Sequence, residues 1–114
     1  MKITFTHKKK AVTLKVKNCN TLERIIGLMF TRKEKAKILL FDFHKKTTSP
    51  IHSLFVFFDF IAIWLDEKNE IVAIQKVKPW KIKIKQDKPF TKLIEIPISK
   101  KYKDIINNNH FLEQ

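Results

Sequence analysis

Glycine is almost missing from this chain, with Gly27 the only one in 114 residues. That absence removes phosphate-binding loops of the glycine-rich kind, which need several residues whose backbone can approach an anion closely. Cysteine is equally scarce. Cys19 stands alone between two asparagines, which excludes a disulfide framework and a paired-cysteine metal site. Long apolar runs are also lacking: the most apolar stretch, "IHSLFVFFDFIAIWLD", is broken by Asp59 and falls short of the roughly 20 residues of a membrane helix. The opening "MKITFTHKKK" carries charge where a secretory signal needs a continuous apolar segment. These absences point to the cytoplasm and away from a membrane. Arginine occurs twice, at Arg24 and Arg32, against 22 lysines. The net charge of +13 invites nonspecific association with nucleic acid. Specific recognition of phosphates and bases, however, favours the planar guanidinium, and a lysine-, isoleucine- and asparagine-rich composition also follows from A/T-rich coding.

What is present reads as one domain over residues 1–114, with no proline- or serine-rich linker and enough apolar side chains for one core. "ITFTH" and "AVTLKV" are short, β-branched and partly alternating, and the lysines between them make a hairpin turn. Asn20 followed three residues later by Glu23 has the form of a reciprocal helix cap. Beyond it Leu22, Ile25, Ile26, Met29 and Phe30 recur at helical spacing, which predicts a short helix over 21–30 lying on a sheet. "ILLFDFH" reads as a strand. "HSLFVFF" and "FIAIWL" are apolar at both parities and read as strands covered on both faces, the second forming a hairpin with "IVAI" across "DEKNE". Pro79-Trp80 marks a kink where the lysine alternation changes phase, and "KIKIK" reads as a strand with lysines on one solvated face. "FTKLIEIP" is the last strand, followed by a polar tail with a short helix or turn at the asparagines. The expected fold is mainly β, a small sandwich or partly open barrel with one short helix packed on it.

At "ERIIGLMFTR", "IHSLFVFFDFIAIWLD" and "VKPWKI" the sequence resembles the family named domain of unknown function 192, and the "IH" and "KPW" elements resemble its archaeal-type members. The resemblance covers roughly residues 21–98. It implies a small jelly-roll-like β domain and brings no activity with it. Carried onto this chain, its signature falls on Arg24, Gly27, Leu28, Met29, Phe30, Arg32, His52, Asp66, Pro79, Trp80, Glu95 and Pro97. One departure stands out, because the family's usual aspartate is here Ile61, with Asp59 two residues earlier.

Arg24, Gly27, Met29, Arg32, His52, Asp66 and Trp80 are therefore the candidate residues, as ligand contacts or as structural signature. The arginines suit an anionic ligand, yet a structural pairing with Glu23, Glu34, Asp66 or Glu95, or with carbonyls at the helix end, is favoured. Gly27 inside an apolar helix marks a close approach of helix to sheet. Trp80 reads as a core tryptophan beneath a bent strand, with base stacking as its functional alternative. His7, His44, His52 and His110 lack metal-ligand spacing, so no metal or cofactor is expected. Asp42, Asp59 and Asp66 are the carboxylates from which an acid-base pair would have to be drawn. The reading that results is a noncatalytic binding or accessory module for a small ligand or a protein partner. Its alternative is a basic protein that holds nucleic acid through Lys81, Lys83 and Lys85, and a hydrolase-like enzyme ranks third. Ten phenylalanines in so small a domain also point toward a homodimer.

Overall fold

The computed structural model describes residues 1–20, 23 and 27–113. The chain begins with a two-stranded antiparallel hairpin, β1 (Lys2–His7) and β2 (Lys10–Lys15). Lys8 and Lys9 turn it with φ of 51° and 66°, the left-handed pair that matches the twist of a two-residue hairpin. A second sheet holds β3 (Lys17–Asn18), β4 (Leu39–Thr47), β5 (Phe60–Leu65), β6 (Ile71–Val77) and β7 (Phe90–Pro97) in the order β3-β4-β7-β5-β6. All neighbours are antiparallel except β3 and β4. A 3-10 turn, Lys100–Tyr102, leads into α1 (Lys103–Asn108).

Alternation on the central strands decides how the layers stack. On β5 the side chains of Ile61, Ile63 and Leu65 join Ile94 and Ile96 of β7 beneath the hairpin residues Ile3, Phe5, Val12 and Leu14, with Ile106 of α1 and Phe111 closing the same core. Phe60, Ala62 and Trp64 point the other way and pack with Leu93 and Phe41 under Leu28, Ala36, Val56 and Phe58. Both faces of β5 are thus covered, as its unbroken apolar run demands. The result is mainly β, two sheets not closed into a barrel. Ile61 has 0% of its surface exposed and belongs to the first core.

Three expectations change. "HSLFVFF" is a loop, turning at Leu54-Phe55, and no strand forms there. Val56 and Phe58 are buried while Phe55 and Phe57 are exposed, so the segment alternates without a ladder partner. "KIKIK" is not a strand either. Its one β-bridge joins Ile84 to Ile51, Lys81 bonds to Ser53 outside any ladder, and Ile82 stands out in solvent at 79% exposure. The chain bends at Pro79-Trp80 as anticipated, but the bend is a turn in which Trp80 takes φ of 64°, and the segment leaves the sheet edge instead of extending it. The helix expected over 21–30 lies mostly at residues outside the described set. Its start shows the anticipated reciprocal cap, with Glu23 N–H donating to Asn20 Oδ1 at 2.8 Å and Asn20 N–H to Glu23 Oε1 at 3.1 Å. At its other end Gly27 N–H donates to Glu23 O at 2.7 Å, and Gly27 to Phe30 form a turn. Phe30 does not join an apolar stripe on the sheet; it is 66% exposed.

Candidate functional site

β7 is the middle strand of the five, paired to β4 at Leu39–Glu95 and to β5 at Ala62–Glu95. Glu95 shares its face with Leu93, so the pleat carries a carboxyl group into the second core. Only 6% of the residue is exposed. It lies at a cavity of about 280 Å³ whose wall is mostly apolar, with Leu28, Met29, Phe41, Val56 and Phe60 facing it and Ser49 and His52 adding polar groups. Burial pushes the Glu95 carboxyl up to about 8, because an ionised oxygen here would lose its hydration. Near neutral pH the group is therefore mainly a neutral acid, offering one O–H donor and one carbonyl acceptor.

Gly27 borders the same cavity with φ of +53°. A Cβ built there would lie 3.6 Å from Glu95 Oε1 and 3.8 Å from Phe41, which are ordinary contacts. The glycine is thus required by its left-handed backbone at the start of the 27–30 turn, and the close helix-to-sheet approach inferred from sequence is not the reason. His52 is held on the opposite loop, where its Nδ1 accepts from the Leu54 N–H at 3.1 Å. That bond leaves the proton on Nε2 when the ring is neutral. Beside it, fully buried Ser53 clamps the 78–81 turn: its Oγ donates to Lys78 O and accepts from Lys81 N–H, both at 2.7 Å, while its carbonyl accepts from Trp80 N–H at 2.8 Å.

The outer side of this loop carries a row of aromatic rings. Phe30 stacks on Phe55 with centroids 5.0 Å apart, Phe55 meets Trp80 edge-on at 5.1 Å, and Trp80 meets Phe57 at 5.6 Å. Trp80 is 49% exposed and Phe57 60%, so the core role expected for Trp80 is replaced by a surface one, and Trp64 is the core tryptophan. Phe30, Phe55 and Trp80 have φ of 59°, 58° and 64°, a conformation that costs a bulky residue about 1–2 kcal/mol each. Next to the row, Lys78, Lys81, Lys83 and Lys85 line an open cleft of about 420 Å³ together with Lys76, which pairs with Asp59 at 3.5 Å.

The structure brings Gly27, Met29 and His52 of the candidate set onto one cavity and places Trp80 on the adjoining surface. Arg24 lies outside the described residues. Arg32 is exposed and forms no ion pair with another described residue; its carbonyl accepts from Lys35 and Ala36 in a turn. Glu23 pairs with Lys17 at 2.7 Å, a hydrogen bond that holds the carboxyl below its usual range. Asp66 serves the β5–β6 turn, accepting from the N–H groups of Lys68 and Glu70 at 2.9 Å each. Asp42 accepts from the His44 N–H, so the three aspartates serve three separate stretches of chain. The histidines also disperse, with His7 against Phe111, His44 beside Asp42 and His110 beside Glu113. Glu95 is the residue that sequence reasoning passed over as a site. Its signal was present in "LIEIP", a lone acid framed by apolar residues at both parities of a strand.

A UPF0127 protein of Pyrococcus horikoshii is 29% identical over 63 residues, 55% of this chain and 55% of that protein, so the match spans about half of the relative's length. Two solved structures share the fold with a TM-score of 0.72 each. One, from Sinorhizobium meliloti 1021, carries the provisional description of a transcription regulator; it is 18% identical, and the match covers 90% of this chain and 81% of that one. The other, a protein of unknown function from Novosphingobium aromaticivorans DSM 12444, is 14% identical over 91% of this chain and 76% of its own. At these identities the likeness is one of fold. The matching family model runs over residues 2–103, from β1 to the first residue of α1, wider than the span over which the motifs are legible, and the chain belongs to the DUF192 family, an uncharacterised ACR.

Proposed function

We propose that the protein is a noncatalytic binding module and that its ligand occupies the cavity at Glu95. The observation that carries this reading is a buried carboxyl group aimed into a mostly apolar, partly open cavity beside His52 and Ser49. A concave apolar site with a few convergent polar groups is the usual form of a small-molecule site. The chemistry of the lining narrows the ligand class. A neutral carboxyl complements a partner that also donates and accepts, such as an amide or the protonated form of a carboxylic acid, and the apolar wall calls for a hydrocarbon body. The cavity of about 280 Å³ limits that body to a small one.

Ligand-observed NMR with benzamide, isobutyramide and benzoic acid tests this on the full chain. Binding should persist in Glu95→Gln, whose amide keeps one donor and one acceptor, and vanish in Glu95→Leu. Equal binding by the Leu variant would remove the carboxyl from the reading.

A further inference from the structure

We propose that the exposed row Phe30, Phe55, Trp80 and Phe57, with the lysine cleft beside it, is a docking surface for single-stranded nucleic acid. Four large rings in mutual contact and open to solvent make a patch that a folded protein does not need for its own core. Turn geometry does not require aromatic residues at these positions. Asn69, with φ of 60°, occupies such a position at the β5–β6 turn, and asparagine or glycine would serve equally at 30, 55 and 80. Strained backbone under exposed side chains marks residues held for what they present outward.

Charge selects the occupant. Lys78, Lys81, Lys83 and Lys85 are all exposed, and among the described residues no acid lines their cleft. A second copy of the chain would set lysines against lysines and +13 against +13, which disfavours a homodimer through this face. A bilayer presents an extended surface that cannot enter a cleft, whereas a flexible phosphodiester strand can run along it while its bases stack on the adjoining rings. Duplex bases are already stacked on each other, so the rings favour single strands. The surface uses neither Glu95 nor His52, so Glu95→Leu leaves it intact and the cavity reading stands or falls separately.

The test is fluorescence anisotropy of the full chain with labelled oligo-dT and oligo-rU of about 12 nucleotides, against a duplex of equal length and phosphatidylserine vesicles. Single strands should bind more tightly than the duplex, and log affinity should fall with log salt at a slope near −3, from about 0.7 per lysine–phosphate contact. Phe57→Ala and Trp80→Ala should each weaken binding roughly 5- to 100-fold, with Trp80→Phe restoring most of it. Lys81→Gln with Lys83→Gln should flatten the slope by about 1.4. Should Trp80→Ala fail to fold, Phe57→Ala carries the test, since Phe57 is exposed and has no left-handed backbone to disturb. Equal affinity for duplex and single strand with unchanged aromatic variants would reduce the effect to lysine charge and overturn the proposal. So would binding of vesicles in preference to oligonucleotides, binding of none of the probes, or a dimer whose formation buries Trp80.

Discussion

Replacing Glu95 by Gln should make the stability of this protein less sensitive to alkali, by an amount the burial of the group determines. The carboxyl moves from 4.5 in an exposed setting to about 8 in the fold. Below pH 4.5 both states are protonated and the group adds no pH dependence. Between 4.5 and 8 the unfolded chain releases a proton that the folded chain retains, so wild-type stability falls as pH rises, by about 1.4 kcal/mol per unit. Above 8 the folded group ionises in place and the loss levels off. Over the window the loss reaches up to about 5 kcal/mol, a large share of the 5–15 kcal/mol typical of a domain. At about 4 °C per kcal/mol, the Gln variant should melt within a few degrees of wild type at pH 4 and about 15 to 20 °C above it at pH 9. Thermal unfolding followed by circular dichroism across that range measures it. Cys19 stays neutral in this window because burial pushes its thiol up to about 11. A difference in melting temperature that is the same at pH 4 and pH 9 would refute the assignment of a buried neutral acid.

Two further substitutions probe the supports of the site. Gly27→Ala should cost about 1–2 kcal/mol in urea unfolding, and Gly27→Asn distinctly less, because the constraint is a left-handed φ and the space for a Cβ is adequate; equal losses would return the argument to close packing. Ser53→Ala leaves Lys78 O and Lys81 N–H without their buried partner and should cost about 2–4 kcal/mol, with Trp80 fluorescence shifting as the turn loosens. A cost under half a kcal/mol would show that the turn does not depend on the clamp.

Much of the frame is legible without coordinates because it depends on local rules. The lysine turn, the Asn20–Glu23 cap, the two-sided burial of "FIAIWL", the Asp66 turn and the bend at Pro79-Trp80 all follow from short-range chemistry and period-two alternation. The misreadings share one cause. "HSLFVFF" and "KIKIK" have strand patterns, but a strand needs a continuous row of a neighbour's N–H and C=O groups, and here the two segments bond to each other only at Ile51–Ile84 and around Ser53, while Phe55 O accepts from Phe30 N–H. The site was harder to read because its members come from distant stretches: Gly27, His52 and Glu95 meet through the order β4-β7-β5. Sequence alone determined that this is a mainly β domain of one family, with a strong positive charge and a stray acid in its last strand. Tertiary structure alone decided that the acid is buried beside a cavity and that Trp80 faces solvent, since burial depends on which segments cover a face and no single segment encodes its cover.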